Sequence, residues 1–346
     1  MLHDYGSRDG AFININASIR QRLVSIVDGG HTHTCVPLQG SGTFVVEAMV
    51  GTFVPADGKL LILVNGAYGH RIARICEYLG RQHLIQETAE DTPTDVAALD
   101  KILAQDQDIT HVAVVYCETT SGILNPIAEC ADVVARHQRR LLIDAMSAFG
   151  ALPLSARKLK FDAVVASSNK CLEGSPGIGF CIADMDALST TQGNSPSLCM
   201  DLYDQWRAME GNGQWRFTPP THAILALDRA LTEFEQEGGT NGRYRRYREN
   251  CDILVAGMRD LGFRTLLPNE LQAPIIVTFH MPARNFEFDD FYSQLQQQGY
   301  IIYPGKLTVA DSFRIGCIGR LGHGEMHGVV AAVTTILGTN QIKNTP

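Results

Sequence analysis

Two charged residues stand where predicted buried strands end. The apolar run at 141–143 stops at Asp144, and the apolar run at 161–166 is followed by SSNK, which ends at Lys170. A charge buried at such a place is costly without a partner, so one interpretation is a structural salt bridge between Asp144 and Lys170. The other interpretation is chemical. A lysine that forms a Schiff base and an aspartate held against a pyridinium nitrogen are what a protein contributes to pyridoxal-phosphate reactions.

Small residues occur at the start of the helix predicted over 41–53. The segment QGSGT at 39–43 precedes the apolar sequence FVVEAMVGTF, and together they predict a helix over 41–53. Free N–H groups and the positive end of the helix dipole favour an anionic phosphate. The segment is neither GxGxxG nor a Walker loop, because no lysine follows the glycines. An ordinary helix start with Ser41 as its cap therefore remains the alternative.

An arginine lies inside the predicted apolar strand at 312–316. Arg314 needs an anionic partner there, and its planar fork matches a carboxylate. That carboxylate belongs either to the protein, as a structural pair, or to a substrate. Cys317 follows in the same stretch. We favour a buried small thiol at this position over a reactive persulfide-forming cysteine.

Three other patterns resemble a metal site or a nucleic-acid-binding patch. His323, Glu325 and His327 in HGEMH do not match HExxH, so we expect the solvated first turn of the last helix and no metal site. His31 and His33 lie in a loop without a third ligand nearby. The basic run at 243–248 resembles a nucleic-acid patch, but we expect a solvated helix face, because the chain has 29 Lys+Arg against 37 Asp+Glu and a net charge of −8.

Composition narrows the class of protein. The 346 residues are 45% hydrophobic and 19% charged, which favours a large buried core and a soluble globular chain. No apolar run approaches the length of a membrane-spanning helix, and the first residues lack the pattern of a secretory signal. The nine cysteines are odd in number and never spaced as CxxC, which favours reduced, mostly buried thiols. We therefore expect a cytoplasmic protein that binds neither nucleic acid nor membrane.

Between residues 41 and 185, helical periodicity alternates with short apolar runs. This alternation predicts βαβ units, a mostly parallel sheet and an α/β fold with its site at the carboxyl ends of the strands. The predicted strands are at 60–64, 111–117, 140–144, 161–166 and 180–183. Predicted helices are at 41–53 and 68–79, and a third ends at 137. The segment 185–220 has little periodicity, so we predict a loop-rich crossover that reaches a partner subunit.

A glycine pair divides the predicted elements. A helix over 223–237 ends at Gly238-Gly239, a plausible hinge, so we predict a large domain at 1–238 and a small one at 239–346. The small domain is predicted to contain a helix over 245–261, strands at 274–280, 300–304 and 312–316, and a final helix that ends near 337 and is followed by a frayed tail.

Eight motifs occur in a fixed order along the chain. They are QGSGT (39–43), NGAYG (65–69), CETTSGILNP (117–126), LLIDAMSAFGA (141–151), SSNKCLEGSPGIGF (167–180), QWRFTPPTH (214–222), YPGKL (303–307) and FRIGCIG (313–319). Over residues 10 to 335 the chain resembles the class V, fold-type I aminotransferases. The resemblance implies a large pyridoxal-phosphate-binding domain, whose mostly parallel sheet is flanked by helices, and a smaller α/β C-terminal domain.

The resemblance also implies roles for individual residues. Lys170 matches the catalytic lysine that binds the cofactor covalently, and Asp144 matches the catalytic partner of the pyridine nitrogen. Arg314 matches the arginine that holds a substrate carboxylate. The other matching positions are cofactor-binding: Ser41, Gly42 and Thr43 at the phosphate, Tyr68 stacked on the ring, Thr119 near the 3′-oxygen, and Thr218 and Thr221 at the phosphate of the neighbouring subunit. A homodimer with a shared active site follows from the last two.

The implied activity is transfer of an amino group from a small-molecule donor to pyruvate. The motifs are closest to family members whose donor is 2-aminoethylphosphonate, which yields phosphonoacetaldehyde and L-alanine in phosphonate catabolism. The same cofactor residues would serve an alanine- or serine-glyoxylate aminotransferase. A cysteine desulfurase is disfavoured, because Cys317 belongs to a predicted strand. A non-catalytic cofactor-binding protein is a further alternative, since the family carries an N-terminal segment at the substrate mouth ahead of the position of Met1.

Overall fold

Helices and strands alternate along the first half of the chain. The computed structural model describes residues 4–282, 286–308 and 310–343. Its strands are β1 His33–Gln39, β2 Lys59–Val64, β3 Gln82–Glu87, β4 Ile109–Val115, β5 Cys117–Glu118, β6 Ile123–Leu124, β7 Arg140–Asp144, β8 Ala163–Ser167, β9 Ile178–Asp184, β10 Ile276–His280, β11 Tyr303–Pro304 and β12 Ser312–Gly316. Its helices are α1 Gly10–Ile26, α2 Gly42–Phe53, α3 Ala67–Leu79, α4 Val96–Gln105, α5 Ile127–Arg136, α6 Met185–Ser189, α7 Leu202–Asn212, α8 Thr221–Gln236, α9 Gly239–Asp260, α10 Phe288–Gln297 and α11 His323–Lys343.

Seven strands form the central sheet, in the order β1-β9-β8-β7-β4-β2-β3. The pairs β2–β3, β2–β4, β4–β7 and β7–β8 are parallel, whereas β9 is antiparallel to both of its neighbours. Helices cover both faces, so the inner strands are buried along nearly their whole length and are continuous apolar runs. The predicted α/β fold with a mostly parallel sheet is confirmed.

Register brings the carboxyl ends of the inner strands to one level. Asp144, the last residue of β7, lies opposite Val115 at the end of β4 and opposite Val165 near the end of β8. The segments that follow these strands, including Glu118 and Lys170, therefore emerge at the same edge of the sheet.

A second, three-stranded antiparallel sheet has the order β10-β12-β11. Its core is a cluster of phenylalanines in which Phe313 contacts Phe263 at 5.6 Å and Phe279 and Phe291 at 5.4 Å between ring centroids. The first turns of α9 pack instead with the larger core, through the fully buried Tyr247. The division at residues 238 and 239 stays a prediction.

The segment 185–220 is more ordered than predicted. It contains α6 and the three-turn helix α7, in place of a loop-rich crossover. Asp201 caps α7 by accepting a hydrogen bond from the backbone N–H of Asp204 at 3.0 Å. One face of α7 buries Leu202, Trp206 and Met209 at helical spacing. Polar residues between these positions weaken the apolar periodicity, so the helix was not recognised from the sequence. The final helix also continues to Lys343, through most of the predicted frayed tail.

The basic run at 243–248 is only in part the solvated helix face that we predicted. Helix α9 begins at Gly239, earlier than expected, and turns Arg243 and Tyr247 into the interior. Glu237 accepts hydrogen bonds from Arg243 Nε and Arg246 Nε, each at 2.8 Å. Glu173 accepts from Arg246 Nη2 at 2.7 Å and from the Tyr247 hydroxyl at 2.5 Å. Partners distant in sequence thus compensate these charges.

Candidate active site

A cavity of about 540 Å³ lies at the carboxyl ends of the parallel strands. Tyr68, Thr119, Ser147 and Lys170, which follow β2, β5, β7 and β8, line one side of it. Residues from 299 to 329 line the other side, among them Arg314 of β12. The cavity therefore joins segments that are far apart in the sequence.

Asp144 ends β7 and is 5% exposed. The backbone N–H of Met146 donates to its Oδ1 at 2.9 Å. Burial raises the pKa of Asp144 to about 6; the Met146 N–H lowers it, nearby Glu118 raises it, and Arg71 and Lys170 lower it. Within the described residues Asp144 and Lys170 form no ion pair, so the structural salt bridge considered from the sequence is not present.

Lys170 is carried by a turn that several bonds hold in place. Ser168 begins this turn: its N–H donates to Ile178 O at 3.0 Å and its hydroxyl to Ser175 O at 2.6 Å. On the other side of Lys170, the Cys171 thiol donates to Ser147 O at 3.3 Å, and Arg243 Nη1 donates to Cys171 O. The lysine side chain itself lines the cavity and makes no hydrogen bond or ion pair within the described chain. The turn thus fixes the position of Lys170 and leaves its amine available to a ligand.

Glu118 is a fully buried carboxylate that the sequence reasoning passed over. It accepts from the backbone N–H groups of Tyr68 at 3.1 Å and Thr120 at 3.0 Å, and from the Thr120 hydroxyl at 2.6 Å. Burial raises the pKa of Glu118, while these hydrogen bonds act in the opposite direction. A Cβ at Gly66 would lie 2.6 Å from the Glu118 carboxyl carbon, so Gly66 permits this approach. Glu118 follows an apolar run, as Asp144 does, and that was the available signal.

Tyr68 lies at the start of α3 with cations on its ring. The Arg71 guanidinium carbon is 4.6 Å and Lys306 Nζ is 5.2 Å from the ring centroid. Burial raises the pKa of the Tyr68 hydroxyl, but the Thr119 hydrogen bond and the charges of Lys306 and Lys170 bring it below its ordinary value. Tyr68 thus interacts with three residues that line the cavity, Thr119, Lys170 and Lys306.

The segment at 41–43 begins α2 beside Asp144. Ser41 is the N-cap residue, but its side chain makes no capping hydrogen bond. A Cβ at Gly42 would lie 2.6 Å from Met146 Sδ, so the glycine allows the helix start to approach the segment after β7. Arg71 Nη1 donates to the Thr43 hydroxyl at 3.2 Å. This arginine, which the sequence reasoning missed, places a positive charge at the helix start.

Arg314 is 4% exposed and makes hydrogen bonds to backbone oxygens only. Its Nε donates to Pro304 O at 3.1 Å and its Nη1 to Thr119 O at 2.7 Å. Burial lowers the pKa of this guanidinium from a very high ordinary value, so it keeps its charge. In the described part of the chain no carboxylate forms an ion pair with it, so the protein partner considered from the sequence is not present.

Other predicted positions lie away from the cavity. Thr218 is exposed and lies in a surface hollow with Ser7 and Arg8, and Thr221 begins α8. Cys317 is fully buried, which confirms its interpretation as a buried thiol. His323 contacts Glu249 at 2.9 Å, and in the described ranges no three His, Cys, Asp or Glu side chains cluster as metal ligands. Nor does any described helix have the length and apolar content needed to cross a bilayer.

The grouped side chains fit pyridoxal phosphate. The cofactor requires a free lysine amine, an anion for its ring nitrogen and N–H donors for its phosphate. Lys170 supplies an amine that forms no hydrogen bond or ion pair with any described residue, and Asp144 supplies a buried carboxylate that accepts a hydrogen bond from Met146. The start of α2 supplies N–H groups that no side chain caps.

Comparison with known proteins gives consistent matches. The family model for class V aminotransferases matches residues 11–318. Proteins named 2-aminoethylphosphonate–pyruvate transaminase are 54% identical in Pseudomonas putida, over 97% of this chain and 92% of theirs, and 54% identical in Pseudomonas aeruginosa, over 96% and 90%. Among solved structures, an alanine–glyoxylate aminotransferase from Nostoc has a TM-score of 0.90 at 20% identity, covering 97% of this chain and 90% of that one.

A phosphoserine aminotransferase of Trichomonas vaginalis with bound pyridoxal phosphate has a TM-score of 0.74 at 17% identity, over 96% of this chain and 90% of that one. Such distant structures establish the fold. The extent of the family match and the 54% identity of the curated relatives carry the assignment further. The chain therefore belongs to the class V aminotransferases, which are pyridoxal-phosphate enzymes of fold type I.

Proposed function

We propose that this aminotransferase transfers the amino group of 2-aminoethylphosphonate to pyruvate, giving phosphonoacetaldehyde and L-alanine. The observation that carries the proposal is the 54% identity, over nearly the whole chain, to relatives named for this reaction. The cavity is consistent with it, because Arg314 brings a buried cation, which has no ion pair among the described residues, to a site that must bind anionic substrates.

The cofactor would be held by residues that surround the cavity and the start of α2. Lys170 would bind it covalently, with Asp144 at its ring nitrogen and Tyr68 against its ring. Its phosphate would lie at Ser41, Gly42 and Thr43, and the Thr119 hydroxyl would face its 3′-oxygen. Bound pyridoxal phosphate supplies an electron sink for the negative charge that develops on the substrate carbon.

Lys170 is the proposed proton carrier. With the covalent bond exchanged for the donor, its Nζ would take the proton from the amine-bearing carbon of the donor, as a general base, and pass it to the cofactor carbon that receives the amino group. In the second half-reaction the same Nζ would carry a proton from that carbon back to the substrate carbon as alanine is formed from pyruvate. The turn held by Ser168 and Cys171 keeps this amine in one place for both transfers.

Asp144 is the proposed counter-ion. Its pKa is raised to about 6 because its carboxylate is buried with little compensation. A protonated ring nitrogen is the cation that would compensate it, and the carboxylate would hold that proton in place. Arg314 would bind the carboxylate of pyruvate and of alanine through its remaining N–H groups.

A homodimer with a shared site is part of the proposal. Thr218 and Thr221 would reach the cofactor phosphate of the partner subunit, and within one chain neither lines the cavity. Their surroundings support an interface, because Phe217 is 49% exposed and Leu198, whose carbonyl oxygen accepts from Arg216 Nη1, is 70% exposed. A cytoplasmic location is also proposed, supported by free thiols of which all but Cys199 are buried.

A screen of amino donors tests the proposed reaction. The loaded enzyme is mixed with 2-aminoethylphosphonate, alanine or serine, and the absorbance change of the bound cofactor is followed, with pyruvate or glyoxylate as acceptor. We expect 2-aminoethylphosphonate and pyruvate to give the highest kcat/KM. A preference for alanine or serine with glyoxylate would replace the proposal by the glyoxylate-type activity. Cofactor retention without conversion of any donor would indicate a non-catalytic binding protein.

A further inference from the structure

Lys306 lines the same cavity as Lys170 and Arg314 and has no role in the function proposed above. It follows β11, and its Nζ lies 3.5 Å from the Tyr68 hydroxyl and 5.2 Å from the centre of the Tyr68 ring. The side chain is therefore directed at the residue that forms the opposite wall. Its ammonium group therefore lies at the edge of the cavity, although the residue is exposed to solvent.

The segment that carries Lys306 is held by contacts before and after the lysine. Tyr303 and Pro304 pair with Arg314 and Phe313 of β12, so Lys306 follows two residues after a strand anchored beside the guanidinium. Further along, the Thr308 N–H donates to Glu90 Oε2 at 3.0 Å. Contacts on both sides of Lys306 thus position its backbone.

The charges at the cavity are not balanced within the chain. Neither Lys306 nor Arg314 forms an ion pair with a carboxylate in the part of the chain that the structure describes. Glu325, which also lines the cavity, accepts a hydrogen bond from the Gly322 N–H at 2.8 Å. Two cations without protein counter-ions therefore face one cavity, which is the arrangement expected for an anion of more than one charge.

The two substrates of the proposed reaction differ in the charge of their anionic group. Pyruvate and alanine carry a carboxylate with one negative charge, which a single planar guanidinium matches. A fully ionised phosphonate is a dianion with three acceptor oxygens, as a phosphate group is. Arg314 alone leaves part of that charge uncompensated, and a lysine is a common point-charge binder of such groups.

We propose that Lys306 binds the phosphonate of the amino donor and makes the site selective for a dianionic donor over a carboxylate donor. This inference rests on the proposed function for the identity of the donor. Arg314 serves both substrates, whereas Lys306 serves the one with the greater charge. Because Lys306 is exposed, its contribution depends on ionic strength more than that of buried Arg314 does.

The experiment compares loaded wild-type enzyme with Lys306→Met and Lys306→Arg. Calorimetry at a pH above the second pKa of ethylphosphonate, where this ligand is a dianion without an amine, measures its Kd and that of propionate, its carboxylate counterpart. In Lys306→Met we expect the Kd of ethylphosphonate to rise about tenfold and that of propionate to change by less than about twofold. Lys306→Arg should restore most ethylphosphonate binding. Lys101→Met on the exposed face of α4 is the matched control and should behave as wild type.

Turnover of 2-aminoethylphosphonate and alanine by the same proteins provides the second measurement. A selective loss in kcat/KM for 2-aminoethylphosphonate supports the inference. Unchanged ethylphosphonate binding in Lys306→Met, or equal weakening of both ligands, overturns it. The proposed function is judged separately, by the wild-type enzyme. If that enzyme fails to convert 2-aminoethylphosphonate while Lys306→Met still loses ethylphosphonate selectively, the proposed donor is wrong and the phosphonate subsite stands.

Discussion

Replacement of Arg314 by lysine tests the proposed carboxylate site. The guanidinium donates hydrogen bonds from Nε to Pro304 O and from Nη1 to Thr119 O, and its remaining N–H groups are available to a substrate. A lysine keeps the positive charge but has a single nitrogen, so it has no planar fork that can satisfy the carbonyls and a carboxylate together. Arg314→Lys should therefore impair binding of pyruvate without unfolding the site.

The magnitude follows from the contact that is lost. A hydrogen bond to a charged partner is worth about 1.5–3 kcal/mol, which corresponds to a roughly ten- to hundredfold fall in kcat/KM for pyruvate. Arg314 is buried, so solvent screening reduces this value little. The spectrum of the bound cofactor should scarcely change, because Arg314 is assigned to the substrate.

The assay is a single turnover. The enzyme is first converted to its amine-carrying form with excess donor, freed of that donor, and then mixed rapidly with pyruvate. Arg136→Lys, at an exposed position in the last turn of α5, is the matched control for an arginine-to-lysine exchange away from the cavity. If Arg314→Lys reacts with pyruvate at the wild-type rate and affinity, the arginine has only a structural role at the Thr119 and Pro304 carbonyls, and the carboxylate assignment is wrong.

Five further predictions rest on the same geometry. Lys170→Ala should retain some cofactor but lose transamination, and borohydride reduction of the wild type should label Lys170 alone in a peptide map. Asp144→Asn should lower kcat by at least about hundredfold while the protein stays folded. In cofactor-free wild type, the native state binds the Asp144 proton more tightly than the unfolded state, so the free energy of unfolding should fall by up to about 3 kcal/mol as pH rises from the ordinary pKa of 3.8 to about 6 and beyond. Denaturant titration should find this decrease reduced in Asp144→Asn. Glu237→Ala should lower the free energy of unfolding by about 3–5 kcal/mol, because it leaves the buried Arg243 short of a counter-ion. Sedimentation should give a homodimer, and Thr218→Ala should weaken cofactor retention; an active monomer would contradict the shared site.

Local sequence indicated five of the seven strands of the central sheet, whereas β1 and β3 were not predicted. A parallel strand buried on both faces is a continuous apolar run, so β2 and β7 were predicted to within one residue, and Asp144 was placed at a strand end. The site at the carboxyl ends follows from this, because parallel strands end at the same edge. Helix α7 was missed because its buried side chains are too sparse to produce a clear period.

Tertiary structure decided which charged side chains are buried and which residues interact with them. The basic run at 243–248 looks solvated in the sequence, since its counter-ions Glu173 and Glu237 lie outside it and the helix phase that buries Arg243 depends on where α9 begins. Burial of Glu118 under the start of α3 is likewise non-local, because it requires the segments after β2 and β4 to meet.

The pairing of Asp144, Lys170 and Arg314 was also open in the sequence, which allowed a salt bridge or a protein carboxylate as readily as a ligand site. Only the folded arrangement separates these possibilities. Among the described residues, neither the lysine nor the arginine at the cavity forms an ion pair with a carboxylate, and the buried aspartate forms none with a cation. Distances between segments far apart in the chain decide which charges are compensated, and no local pattern encodes those distances.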